Sequence, residues 1–414
     1  MQNQVIYLFA PWSGDLHDGR KLRHYHTAAA LESAYDIRTV LFVEGSGLWP
    51  RTRVLTGLAS TIVYLPALPV ERWTHHLKIA ARVVNMGLFF CTALIWAIAI
   101  SFRHRPTWIW GSAPPPAAGL VAAILAAAYR IPFIYEIRDP WPKLLVDLKL
   151  LAQDSLTTRI LRRLDLWLQK RASQIIVINA DPATVRPDCK AKQLLLTNAL
   201  TPSVIQQAQP LVEARLRRPF AHSGKVRFIC AGSFGTAYAT ECIIDAFQIL
   251  LAHQPPNTLE LLLYTDAPEC ESLQARIVSA NLQTHVHVNR RIPFPQLLKI
   301  LSEADYYILH LSSVEIFKWG INSNKLLDAF LVGLPIILAS DVPDTPVTQS
   351  GAGFTCQPGD PQALAATLRA AIAVRPEDYA AMVRRSLRYR DEHLLLTRKI
   401  DQLAQRLKST APAQ

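Results

Sequence analysis

Gly320-Ile321-Asn322-Ser323-Asn324-Lys325-Leu326-Leu327-Asp328-Ala329-Phe330-Leu331-Val332-Gly333-Leu334-Pro335-Ile336-Ile337-Leu338 is the stretch from which the fold can be read. Gly320 is a flexible entry, and Asn322 and Ser323 are residue types that cap a helix by accepting hydrogen bonds from its unpaired first N–H groups. The helix behind them is amphipathic; Gly333 ends it and Pro335 blocks its continuation. Ile336–Leu338 is short and wholly apolar, which predicts a strand buried in a parallel sheet. A helix N-terminus bearing Lys325 is a seat for phosphate. Asp328, about one turn further on, is placed to accept hydrogen bonds from a ribose, so the segment reads as a nucleotide site.

Outward from this segment, strand and helix alternate along the chain. Downstream of about residue 225 the strands are Val226–Cys230, Leu259–Tyr264, Thr284–Val288, Tyr306–Leu309 and Ile336–Leu338. The first of them runs into Ala231-Gly232-Ser233-Phe234-Gly235 and a helix from about Ala239 to Ala252. Upstream, Val5–Phe9 leads into a loop with Gly14 and Gly19 and a helix starting near Arg20. Arg38–Val43, Trp108–Trp110, Phe133–Ile137, Gln174–Ile178 and Gln193–Leu196 continue the cadence, with a helix over about Thr157–Arg171. Two such runs, each with a glycine-bearing first turn, predict an α/β protein of two Rossmann-like domains with parallel sheets. With 414 residues, each domain can bury its own core. The expected domains are 1–205 and 206–379, and the polar stretch Leu200–Gly224, with Arg215-Leu216-Arg217-Arg218, reads as the linker and its flanks. A long basic helical stretch, Ala380–Leu407, follows.

Composition narrows the function. Residues 1–205 carry a net charge of +10, residues 206–383 a net of −3 and the last 31 a net of +5. That uneven distribution argues against nucleic acid, which asks for clustered Lys/Arg and stacking aromatics on one face. It suits a first half facing anionic lipid or phosphate. The six cysteines stand far apart without a Cys-x-x-Cys pair, as buried thiols of a reducing compartment do. The strand beginning within Met1–Leu8 leaves no room for a secretory leader, so a cytoplasmic protein is expected. No Asp-x-Asp stands at a strand end and no His/Cys cluster has metal spacing in the first half, so no metal or other cofactor is implied. The absence of Gly-x-Gly-x-x-Gly after any strand disfavours a nicotinamide dehydrogenase. Val83–Phe102 has no charge over 20 residues, long enough to span a bilayer. Basic residues flank it at both ends, and a span would break the alternation. It is expected to lie against the sheet with one apolar face at a membrane surface, or else as a core helix.

Two segments carry a resemblance. Ser323-Asn324-Lys325-Leu326-Leu327-Asp328 with Gly333-Leu334-Pro335-Ile336-Ile337 resembles the donor-binding motif of glycosyltransferase family 4, and within it the bacterial surface-polysaccharide branch. Glu136-Ile137-Arg138-Asp139-Pro140-Trp141-Pro142, at the end of a strand, resembles a second signature of that branch, with Pro140 where leucine is usual. The resemblance implies the GT-B fold, with the two domains facing across a cleft and a C-terminal helix, about 380–410, crossing back to the first. It implies a retaining transfer from a nucleotide-diphosphate sugar to a saccharide acceptor, lipid-linked, at the inner face of the cytoplasmic membrane. Alternatives are a nucleotide-sugar epimerase of the same fold and a non-catalytic GT-B binding subunit. Lys325, Asp328, Asp139 and Arg138 become the candidate catalytic residues. Gly19, Gly232, Ser233, Gly235, Asp266, Ser323, Asn324 and Leu326 join Lys325 and Asp328 around the donor. Arg20, Arg23, Ser112, Glu136 and Trp141 are assigned to the acceptor side. The wider family places a further acidic residue where Gly320 stands, and Glu315 and Lys318 are candidates to replace it. His310 is a candidate lining residue of the same cleft.

Overall fold

The structure, a computed structural model, describes residues 4–13, 23–45, 47–55, 58–68, 75–147, 149–179, 181, 183–221, 224–234, 238–252, 258–313 and 320–409. Gly14, Gly19, Arg20, Gly235, Glu315 and Lys318 lie outside the described residues. The chain forms two compact units: Met1–Thr197 with Leu396–Gln414, and Asn198–Leu395. The break falls at 197/198, not at 205/206.

The first unit is built on eight strands: β1 (Gln4–Phe9), β2 (Ile37–Glu44), β3 (Arg51–Val54), β4 (Thr61–Leu65), β5 (Trp108–Ala113), β6 (Phe133–Ile137), β7 (Gln174–Val177) and β8 (Gln193–Leu195). Their order is β3-β4-β2-β1-β5-β6-β7-β8, parallel except for the β3–β4 pair. The central strands are apolar on both faces because helices cover both. Helices His75–Ser101, Pro116–Tyr129 and Leu156–Arg171 share one core with the sheet through Phe89, Ala93, Val121, Leu125 and Leu168. Helix Arg23–Tyr35 packs on β2 and against Leu396–Ser409, whose Leu396, Ile400, Leu403 and Leu407 are buried.

The charge-free stretch forms most of the helix His75–Ser101. Ala80–Ser101, 22 residues whose most apolar 18-residue window has a mean hydropathy of 2.2, would suffice to cross a membrane by length and composition. Ala81, Asn85, Phe89, Ala93 and Ala97, one per turn, are buried against the rest of the unit. Only 22% of the most apolar window is buried, so this is no core helix, and the face opposite that stripe is apolar and exposed. Of the cysteines, Cys189, Cys230 and Cys242 are buried as expected, whereas Cys91 on this helix is exposed.

The second unit has six parallel strands: β9 (Val226–Ala231), β10 (Leu259–Thr265), β11 (Val286–Arg290), β12 (Tyr306–His310), β13 (Ile336–Ala339) and β14 (Gly353–Cys356). They lie in the order β11-β10-β9-β12-β13-β14, with a core on each face. The expected linker is instead a helix of this unit, Pro202–Arg217, capped by Thr201. Ala208 and Val212 bury its inner face, and Arg215 donates to the Leu301 and Ala304 carbonyls at 2.5 and 3.0 Å. Those buried contacts, invisible in a polar sequence, make the stretch structural. The expected single helix Ala380–Leu407 is also two: Pro376–His393 belongs to the second unit and only Leu396–Ser409 to the first.

Both sheets reverse direction at their first strand, β1 lying between β2 and β5, and β9 between β10 and β12. Open α/β sheets bind ligands beyond the carboxyl ends of the strands at such a reversal.

Candidate functional site

At the reversal in the second unit, β9 ends and the chain turns through Gly232, whose φ of 128° is disfavoured for any residue with a side chain. A Cβ there would lie 2.5 Å from Lys325 Cε, so the glycine leaves the passage that the lysine stem occupies. Lys325 is buried; its Nζ donates to the Ser233 carbonyl at 2.7 Å and sits 3.1 Å from the Tyr238 ring centroid and 5.3 Å from that of Phe234.

Lys325 reaches this point because the helix Asn324–Leu331 starts beside it, capped by Ser323 Oγ accepting from the Lys325 N–H at 3.3 Å. Ser323 thus performs the expected capping. Asn322 does not: its Oδ1 accepts from the Asn198 N–H at 2.9 Å, holding the first residue of the unit. Asn324 is exposed and Asp328 is half-buried on the same helix, one turn past Lys325. Leu326 has its side chain in the core, and its N–H donates to the Ser323 carbonyl at 3.1 Å. Gly333, with φ 67°, ends the helix as expected. Gly320 has φ 122°, so an acidic residue at that position would be strained here.

Ser233 Oγ donates to Asp266 Oδ2 at 2.5 Å, tying the loops after β9 and β10 together, and Arg291 lies 3.7 Å from the other carboxylate oxygen. His310 is buried at the end of β12, where its Nε2 accepts from the Gly359 N–H at 3.1 Å. Burial lowers its pKa. It braces the loop before helix Pro361–Ile372. Tyr238 and Phe234 are the site residues that sequence reasoning missed, since loop aromatics carry no spacing signal.

The reversal in the first unit is differently furnished. Glu136, near the end of β6, is fully buried, with His24 Nε2 2.8 Å from Oε2 and Arg23 Nε donating to Oε1 at 3.0 Å. Arg23 also donates to the carbonyls of Leu196 at 2.6 Å and Thr197 at 3.0 Å. His24 Nδ1 is 2.7 Å from Ser13 Oγ. Burial opposes ionisation of Glu136, but the His24 contact and the Arg23 guanidinium outweigh it and hold the carboxyl well below its usual range. Burial lowers the His24 pKa, against the pull of Glu136. Glu136, Arg23 and the fully buried Ser112, its partner in the β5–β6 register, therefore lie behind the loop and brace it.

The loop itself presents Arg138, Asp139 and Trp141. Arg138 Nη2 donates to the Pro114 carbonyl at 2.7 Å, and burial raises the Asp139 pKa against the pull of Arg138. Trp141 meets Trp12 edge to face, ring centroids 5.8 Å apart. Asp139, Trp141, Tyr135 and Asp165 line one narrow crevice. Among the described residues no group of three or more His, Cys, Asp and Glu side chains is placed to hold a metal.

Residues 225–373 match the family model described as Glycosyl transferases group 1. Two α/β domains with parallel sheets, in the GT-B glycosyltransferase fold, are what the chain forms. A sucrose-phosphate synthase from Thermosynechococcus elongatus is similar at a TM-score of 0.70, with 14% identity over 98% of each chain. Anabaena HepE, solved with UDP and glucose, is similar at 0.65, with 16% identity over 98% of this chain and all of its own. A UDP-forming trehalose-phosphate synthase from Burkholderia xenovorans is similar at 0.69, with 12% identity over the whole of both chains. No curated protein sequence matches the chain.

Proposed function

We propose that the chain is a retaining glycosyltransferase that moves a sugar from a nucleotide-diphosphate sugar to a saccharide acceptor, lipid-linked, in the assembly of a surface polysaccharide. The observation that carries this reading is the Gly232–Lys325 arrangement at the sheet reversal: a buried lysine at a helix N-terminus, its stem passing where only a glycine leaves room. As the bond from the anomeric carbon to the β-phosphate oxygen breaks, the departing diphosphate takes the electron pair. Lys325 and the helix dipole stabilise that charge. The acceptor hydroxyl oxygen bonds to the anomeric carbon on the same face and gives its proton to the departing phosphate. Asp328 orients the ribose, and Asp139, Arg138 and Trp141 receive the acceptor sugar. The C2 epimerase and the non-catalytic subunit are the competing readings.

HepE, a structural neighbour, was solved with UDP-glucose, so UDP-glucose is the first donor to test. Calorimetry is expected to show UDP and UDP-sugar binding to the wild type and loss of most affinity in Lys325→Ala. Transfer to acceptor is expected to fall by roughly 10²–10³-fold in the same variant. A protein that binds no nucleotide diphosphate or nucleotide sugar is the non-catalytic subunit. Release of nucleotide diphosphate and C2-inverted sugar without acceptor identifies the epimerase.

A further inference from the structure

Three helices lie side by side on one face of the first sheet. Pro116–Tyr129 is in the middle, joined to His75–Ser101 by the Tyr129–Ser101 hydrogen bond of 2.9 Å and to Leu156–Arg171 through Leu168 against Gly119. The outward surfaces of the first two are largely apolar, and the third carries an apolar stripe among basic residues. Val84, Ile95 and Ile98 on the first helix, Phe102 just beyond it, and Ile124 on the middle one are exposed. On the third, Leu156, Ile160 and Trp167 are 71%, 54% and 39% exposed and follow one another at helical spacing on a single stripe. Exposed Arg159, Arg163, Lys170 and Arg171 border that stripe, and the Arg171 guanidinium lies 5.4 Å from the Trp167 ring centroid. Arg82, Arg103, Arg105 and Arg130, at or beyond the ends of the other two helices, are exposed as well. The three helices contain one acidic residue between them, Asp165. It faces inward, accepting from Tyr135 at 2.9 Å and Gln169 at 2.8 Å.

We infer that this three-helix face docks on the anionic surface of a lipid bilayer, with the helix Leu156–Arg171 as its basic anchor. Apolar stripes edged by Arg and Lys, with a tryptophan among them, are what a helix lying in a bilayer interface presents. A protein partner matching the same face would have to supply acidic residues around an apolar centre, whereas an anionic bilayer offers both in one surface. The inference deepens the proposed function, on which it rests for its biological sense. Asp165, on the anchor helix, lines the same crevice as Asp139 and Trp141 of the loop assigned to the acceptor. Docking this helix would therefore bring a lipid-borne acceptor to that loop.

The test is flotation of the full chain with phosphatidylcholine vesicles, with and without phosphatidylglycerol, at low and high salt. Binding is expected only with phosphatidylglycerol, weakening as salt rises. Arg159→Glu with Arg163→Glu is expected to lower vesicle partitioning about tenfold or more, and Ile160→Glu or Trp167→Glu to lower it independently. Each variant should keep the wild-type Tm and UDP affinity, which separates lost docking from lost folding. Vesicle binding without UDP binding would leave this inference standing and remove the donor assignment. A protein that stays with the aqueous phase at low salt overturns it, and so does binding that ignores phosphatidylglycerol or these substitutions. Self-association abolished by Ile160→Glu, with no vesicle binding, would make the face an interface between two copies.

Discussion

The two sheets share a strand order around their reversals, yet the groups placed there differ. In the first unit the buried charges neutralise one another: Glu136 is held by Arg23 and His24, and Arg23 by two carbonyls as well. In the second, a buried lysine rests on a carbonyl and two aromatic rings. A network that is already neutral makes a rigid brace, because adding an anion there would displace good partners. A lysine held at a helix N-terminus beside a glycine turn places positive charge where phosphate is favoured. One scaffold therefore carries a carboxylate-centred brace at one reversal and a lysine at a helix N-terminus at the other.

That contrast can be broken most forcefully at Glu136. Glu136→Ala leaves Arg23 buried without its carboxylate, and a loss of about 3–5 kcal/mol is expected in urea unfolding, with nucleotide binding retained by whatever folds. If Glu136→Ala unfolds like the wild type, the brace is not structural. Next comes Gly232→Ala, which puts a methyl into the space of the Lys325 stem and strains the backbone by about 1–3 kcal/mol. Its expected signature is the converse, a large fall in UDP affinity by calorimetry with a modest change in Tm. A more conservative probe is Asp328→Asn, expected to weaken UDP-sugar binding roughly tenfold or more, as loss of hydrogen bonds to a charged group does. Unchanged affinity would remove Asp328 from the ribose.

The smallest effect sharpens the brace rather than the donor end. Burial pushes the Asp165 carboxyl up to about 6, against the hydrogen bonds from Tyr135 and Gln169. The folded protein then keeps a proton that the unfolded chain has lost, so stability falls as pH rises from the ordinary carboxyl range to about 6 and is level above it. Asp165→Asn is expected to flatten that part of the Tm profile. A slope that persists in the variant belongs to another group.

Much of this was legible beforehand, for reasons tied to particular residues. β9, β12 and β13 are buried on both faces and therefore read as apolar runs. Ser323 announces its helix because capping is local chemistry. β3 escaped, since all four of its residues are exposed and it pairs antiparallel at an edge. β14 escaped because it is a four-residue edge strand opening on a glycine. At the site, Lys325 and Asp328 were visible as a motif, while the contact of Lys325 with Ser233 crosses 92 residues of sequence. Glu136 was visible as part of a signature, but its burial depends on His24 and Arg23 more than 110 residues away.

The helix Leu396–Ser409 adds a constraint in time. Its Leu396, Ile400, Leu403 and Leu407 complete the first unit's packing, Arg406 bonds to Gln174 at 3.1 Å, and Lys399 bonds to Thr197. On a ribosome the first unit therefore emerges first but is finished last. The second unit, one uninterrupted segment, is free to fold in the meantime. At about 5–20 residues per second the wait across some 200 intervening residues is roughly 10–40 s. Through that interval the apolar surface that the helix will cover stands open to solvent and to chaperones.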